Sequence, residues 1–176
     1  EEGVRVALLA RTGAALQAAA NEIHAATGTT VLALPTDIRD AAAVVTSVER
    51  ARAELGPLHI LVNNAGVNGP VAPVWEYPLD AWDRVLAVDL TGVFYCCRVA
   101  VPAMRAAGYG RIVNVSSITG KEGSAGIAAY ASAKAGVIGF TKSLARELVQ
   151  SGVLVNCIAP VITETDLFRE MTQDHI

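Results

Sequence analysis

Apolar positions along the chain fall into two kinds of run that alternate. Short stretches of consecutive aliphatic and β-branched residues predict strands at Val4–Leu9, Thr30–Leu34, Leu58–Val62, Arg111–Val115 and Val153–Ile158, the last stopped by Pro160. Longer stretches with apolar residues at helical spacing predict helices over about Gly13–Ala26, Ala41–Leu55, Asp80–Ala107 and Ala128–Gln150. Strand–helix alternation of this sort is the pattern of an α/β fold with a parallel sheet. Strands that read as near-continuous apolar runs imply helices on both faces of that sheet. The segment from Thr163 to Ile176 reads as the start of a helical lid.

Length and composition narrow the picture without changing it. The 176 residues are enough for one domain with a buried core and too few for two, so residues 1–176 are expected to form a single unit. A hydrophobic fraction of 52% argues against disorder. The net charge of −3 and the absence of a basic cluster argue against a nucleic-acid partner. No stretch approaches eighteen apolar residues without a charge or a turn, so no membrane span is expected. Cys96, Cys97 and Cys157 lack ligand or disulfide spacing, and His24, His59 and His175 are scattered, so no metal site is expected. With no secretory leader in view, the expected setting is cytoplasmic.

Candidate chemistry gathers at the strand ends. Open parallel sheets bind ligands beyond the C-terminal ends of their strands. Arg11, Asp37, Asn63 to Gly66, Ser116-Ser117 and Pro160 to Thr165 each follow a predicted strand. Tyr130 and Lys134 lie four residues apart on a predicted helix and so share one face. A free tyrosine ionises near pH 10, and bringing that to about 7 needs roughly 4 kcal/mol of differential interaction. A lysine in a partly desolvated cleft is one source of it. The spacing alone equally describes a surface tyrosine beside a solvated lysine. Ser117, thirteen residues before Tyr130, suits a substrate-oxygen contact, or simply a turn or helix cap.

Taken together, Asn63-Asn64-Ala65-Gly66, Ser116-Ser117, Tyr130-Ala-Ser-Ala-Lys134 and Asn156-Cys-Ile-Ala-Pro160 resemble the short-chain dehydrogenase/reductase family in its common single-domain form. The resemblance implies a Rossmann-type doubly wound sheet and hydride transfer between a nicotinamide and a secondary alcohol or ketone. It implies that Ser117 orients the substrate oxygen, that Tyr130 exchanges its proton, and that Lys134 lowers the tyrosine pKa and holds the nicotinamide ribose. Cofactor contacts are implied at Arg11, Asp37, Ile38, Asn64, Ala65, Gly66, Tyr130, Lys134, Pro160, Thr163 and Thr165. Asn63 to Gly66 are further expected to brace the central strands. Asp89 stands where the family usually has an asparagine of the proton relay, so a relay with a shifted pH optimum is expected. Val161 stands where a glycine commonly follows the proline.

The resemblance extends to 3-oxoacyl reductases and to sugar or sugar-acid dehydrogenases. At the end of the first predicted strand stands Ala10, not the acidic residue that binds the NAD ribose, and Arg11 follows it. This favours NADP(H), with NAD(H) possible. Neither the first strand of such a fold nor a GxGxxG-like turn is found in the sequence, which reads as incomplete at both ends. The missing strand is central in the order 3-2-1-4-5-6, so an open slot is expected between Val4–Leu9 and Leu58–Val62. Small apolar residues on the two long helices (Ala87, Gly92, Ala128, Ala131, Ala135, Gly139) favour a homotetramer or homodimer. Trp75, Trp82 and Tyr95 are read as packing residues. The alternative reading is a non-catalytic or truncated relative that binds a nucleotide or a partner chain without turnover.

Overall fold

A computed structural model describes residues 3–161. The strands are β1 (Val6–Ala10), β2 (Val31–Pro35), β3 (Ile60–Asn63), β4 (Gly110–Val115) and β5 (Val153–Ile158). The helices are α1 (Gly13–Thr27), α2 (Ala41–Leu55), α3 (Leu79–Leu86), α4 (Gly92–Ala107), α5 (Thr119–Glu122) and α6 (Ala128–Glu147). Their ends follow from local chemistry. Asp40 caps α2 by accepting from the N–H groups of Ala42 and Ala43 at 2.8 and 3.1 Å. Gly28 and Gly108 close α1 and α4 in the left-handed region, at φ 68° and 65°, where a side chain would be strained.

Three features depart from the sequence pattern. The helix expected over 80–107 is interrupted by a π-helical turn at Ala87–Thr91, between α3 and α4. The Gly- and Ser-rich loop after β4 contains the short helix α5. Trp75 is 83% exposed on the 3₁₀ turn Val74–Glu76, without cover among the described residues, whereas Trp82 and Tyr95 do pack against buried clusters.

All strand pairs are parallel, and they form two groups, β1–β2 and β3–β4–β5. This is the expected doubly wound order with its centre open. Among the described strands β1 pairs with β2 alone and β3 with β4 alone, so each presents an edge without ladder partners. Between those edges lies a cleft of about 850 Å³ lined by β1, β3 and α2. The two groups are joined on one side, where Val44 and Val48 of α2 pack with Cys96 of α4.

Around β3–β4–β5, cover on both faces is not found among the described residues. The register sets Ile60, Arg111 and Leu154 side by side on one face, and Val62, Val113 and Asn156 beside them. Ile60, Val62, Leu154 and Ile158 are about half exposed (48, 57, 54 and 50%). The opposite face, carrying Ile112, Val153 and Val155, is buried with Val93, Cys97, Ala100 and Met104 of α4 and with Val137 and Leu144 of α6. The helical run Leu79–Ala107 is long and apolar enough by composition to cross a membrane, with a window of mean hydropathy 1.6, although 44% of that window is buried within this chain.

Candidate active site

Parallel pairing brings the segments after β3, β4 and β5 to one edge. Ser116 N–H donates to Ile158 O (2.8 Å) and Ile118 N–H to Pro160 O (3.0 Å), which ties the β4 and β5 loops together there. Lys134, on α6, is 3% exposed and is held from several directions. Its ammonium donates to Val115 O at 3.1 Å and lies 3.3 Å from Asp89 Oδ2. Its backbone carbonyl accepts from Ser116 Oγ at 2.7 Å. Two glycines make the room: a Cβ at Gly66 would sit 3.0 Å from Asp89 Oδ2 and 3.3 Å from Lys134 Nζ, and one at Gly120 would meet the Lys134 backbone at 2.6 Å.

Tyr130 is one turn earlier, with Lys134 Nζ 5.5 Å from its ring centre. The expected lowering of its pKa is not realised here. Burial pushes the Tyr130 phenol up, an interaction with Ser117 pulls it down, and the charge of Asp89 pushes it up again. The chief physical reason is burial of the phenol, and the carboxylate of Asp89, which stands against Lys134, adds to it. Asp89 is fully buried and accepts from the Val67 N–H at 2.8 Å, and its own pKa is raised by burial against the pull of Lys134. Ser117 is half-buried, and its Oγ accepts from Thr119 N–H at 3.2 Å, so it also serves as the turn serine that starts α5.

Beneath the site a polar chain braces β3, β4, α4 and α6. Asn63 Nδ2 donates to Asn114 Oδ1 (2.8 Å) and Asn114 Nδ2 donates to Thr141 Oγ1 (2.9 Å). Thr141 in turn donates to Val137 O (2.7 Å), and Asn63 Nδ2 also reaches Cys97 Sγ (3.3 Å). The cysteines of α4 are structural: burial pushes Cys96 up to about 11 and Cys97 up to about 12. The bracing expected of Asn63 is therefore present.

The other candidate contacts surround the cleft. Asn64 and Ala65 are exposed and line it directly. Arg11 is exposed just past β1. Asp37 lies beyond β2, where the Arg39 guanidinium, 2.5 Å away, holds its carboxyl down at about 2. Ile38 packs on Gly92 so closely that a Cβ there would meet it at 2.6 Å, which brings the β2 end to the start of α4. Pro160 and Val161 are exposed, and no described non-glycine residue has positive φ, so Val161 passes the edge in ordinary backbone. Thr163 and Thr165 lie outside the described residues.

The family model for short chain dehydrogenase matches residues 1–176. The chain belongs to the short-chain dehydrogenase family. It is 45% identical over 175 residues to 2-dehydro-3-deoxy-L-rhamnonate dehydrogenase (NAD(+)) of Sphingomonas sp. (strain SKA58), covering 99% of this chain and 68% of that one. It is 40% identical over 138 residues to the 3-oxoacyl-acyl-carrier-protein reductase FabG of Salmonella typhimurium (strain LT2), covering 78% of this chain and 56% of that one. Among solved structures, NAD+-bound xylitol dehydrogenase superposes with a TM-score of 0.88 at 34% identity, covering 91% of this chain and 61% of that one. The chain thus spans between 56 and 68% of the length of these curated relatives.

Several working parts of this short-chain dehydrogenase were not singled out from sequence. Asn114 and Thr141 look like ordinary strand and helix residues until the strands are paired. Arg39 had a local signal, since a basic residue two positions after an aspartate beyond a strand can fold back on it. Gly120 and the Ser116 hydroxyl matter through their contact with the Lys134 backbone, which only the packing of α5 on α6 reveals.

Proposed function

We propose that this chain carries the catalytic stretch of an NADP-preferring oxidoreductase that interconverts a secondary alcohol and a ketone. The observation that carries the reading is the convergence of Ser117, Tyr130 and a buried, fourfold-held Lys134 on one sheet edge. Burying a lysine this deeply is costly unless it is paired and hydrogen-bonded, and these partners meet that need. In alcohol oxidation the Tyr130 phenolate takes the hydroxyl proton while Ser117 donates to the substrate oxygen. In the reverse direction Tyr130 returns the proton to the oxygen of the reduced carbonyl. When bound, the nicotinamide group accepts or supplies the hydride at the substrate carbon. The open edge at Asn64 and Ala65 fits a cofactor passing close to backbone.

The NADP preference is supported by Ala10, which offers no carboxylate to repel a 2′-phosphate, and by exposed Arg11 beside it. Asp37 and Ile38 would flank the adenine, and Pro160, Thr163 and Thr165 the nicotinamide. For substrate we favour sugar acids or 3-oxoacyl thioesters, the classes named for the two curated relatives. Exposed Ala135 and Gly139 on α6, together with Phe94 on α4 (43% exposed), favour a homo-oligomer built on that helix pair.

The open cleft between β1 and β3 favours a second reading, in which the chain binds nucleotide or a partner chain without turnover. One assay separates them: sugar acids, 3-oxoacyl thioesters and simple ketones or alcohols with NADPH and with NADH, using the protein in its full length. Turnover that falls by about 10²–10⁴-fold in Tyr130→Phe, with NADPH binding retained, supports catalysis. Binding with no turnover on any substrate class supports the second reading.

A further inference from the structure

The π-helical turn at Ala87–Thr91 is where the long helical run departs from regular geometry, and Asp89 is its fully buried carboxylate. Such turns insert one residue into a helix and recur at functional sites. Here the turn delivers a carboxylate into the crevice beneath Gly66. Oδ1 is satisfied by the Val67 N–H, whereas Oδ2 is buried without a hydrogen bond and faces the Lys134 ammonium at 3.3 Å. The ammonium in turn donates to Val115 O and lies beside the Tyr130 ring. Among the described residues the titratable groups facing Asp89 are Lys134 and Tyr130, both from α6; the β3 loop and β4 contribute backbone groups.

We propose that Asp89 is a positioning residue for the proton-transfer pair: as the buried counterion of Lys134 it fixes the ammonium beneath Gly66 and takes up part of the charge that would otherwise act on Tyr130. The inference rests on the proton-transfer role proposed above for Tyr130. Its consequence is a site tuned toward higher pH. A carboxylate near a phenol opposes phenolate formation, and a matched ammonium assists it less than a bare one. Tyr130 already responds in that sense, since the Asp89 charge is among the influences that raise it.

The test is a phenolate absorbance titration of the protein in its full length, with Tyr130→Phe in each background to subtract Tyr77, Tyr95 and Tyr109. Asp89→Asn keeps the shape and removes the charge, so the Tyr130 midpoint should fall by about one pH unit or more. Asp89→Ser, smaller and also neutral, should move it in the same direction. A midpoint that stays or rises in a cooperatively melting variant overturns the proposal. If neither variant folds, carboxyl ¹³C NMR of the unmodified protein decides: an ionised Asp89 at pH 7 supports it and a protonated one overturns it. The acid limb of kcat should shift with the phenol. A phenol shift without turnover on any substrate would leave the counterion role standing and remove the catalytic reading. Turnover with an unmoved phenol would do the reverse.

Discussion

The two groups of strands hold their polar residues in opposite ways. Around β3–β4–β5 the polar atoms are buried and handed from one to the next, from Asn63 through Asn114 to Thr141, and from Asp89 through Lys134 to Val115. Around β1–β2 the charges are exposed: Arg11 stands in solvent, and Asp37 and Arg39 pair at side-chain exposures of 33 and 40%. One buried polar contact, Thr36 with Ser47 at 2.7 Å, anchors the β2 end to α2. The difference suits the two tasks proposed for these regions. Proton transfer needs groups held to a fraction of an ångström, and burial with full partnering gives that rigidity. Holding a charged nucleotide needs field and reach, and exposed side chains keep the freedom to adjust.

The comparison breaks first if the buried region tolerates the loss of a charge. Lys134→Met strands Asp89 as an unpaired buried carboxylate, and we expect a loss of about 3–5 kcal/mol at neutral pH by denaturant unfolding. The loss should shrink as pH falls, because Asp89, already raised by burial, takes up a proton more readily once its partner is gone. A cost below about 1 kcal/mol, or one independent of pH, would mean that water reaches the pair. Asn114→Leu is next. It leaves Asn63 Nδ2 without its oxygen acceptor and Thr141 without its donor, so about 1–3 kcal/mol should be lost. A neutral outcome would mean that the chain of amides merely fills space.

Hydrogen exchange sharpens the same contrast. β4 is paired on both sides, whereas β1 and β3 border the open cleft. In the 176-residue chain, β4 amides should exchange about tenfold or more slowly than the cleft-facing amides of β1 and β3. Equal protection would show the cleft to be closed in solution.

Most of this contrast was legible before the structure, and the parts that were not share a cause. Strand and helix order follow from periodicity, and the open cleft lies where one is expected, between Val4–Leu9 and Leu58–Val62. Ser117, Tyr130 and Lys134 could be named because their chemistry is written in residue type and spacing. Asp89 is legible in the sequence as a departure at the proton-relay position, whereas the π-helical turn that sets it against Lys134 has no composition signal. The direction of the Tyr130 shift turns chiefly on burial, which spacing along the chain does not show, with the Asp89 charge adding to it. Asn114 was missed because a buried asparagine on an apolar strand looks like any polar interruption until its neighbours are known. Trp75 reads as a packing residue by its type, and the 3₁₀ turn Val74–Glu76 instead leaves it exposed.

The smallest expected effect lies on the exposed side. Asp37 is depressed to about 2 from an ordinary 3.8, chiefly by the side-chain hydrogen bonds of Arg39, with the Arg39 backbone and the charge of Arg11 adding to it. A depressed carboxylate stabilises the fold above its unfolded pKa and loses that contribution as pH falls through the folded one. Arg39→Ala should therefore bring the Asp37 midpoint back toward 3.8, read by carboxyl NMR. Its effect on the melting temperature should be slight at neutral pH and vanish near pH 2, since exposed pairs are screened by solvent and salt. Cofactor behaviour makes the variant more informative than its stability. If the exposed charges serve nucleotide binding, Arg39→Ala releases Asp37 and shifts the NADPH-to-NADH preference while the Tyr130 midpoint stays where it was. A change in Tyr130 titration instead would mean that the two regions are electrostatically coupled across the cleft, and the division drawn between them would fail.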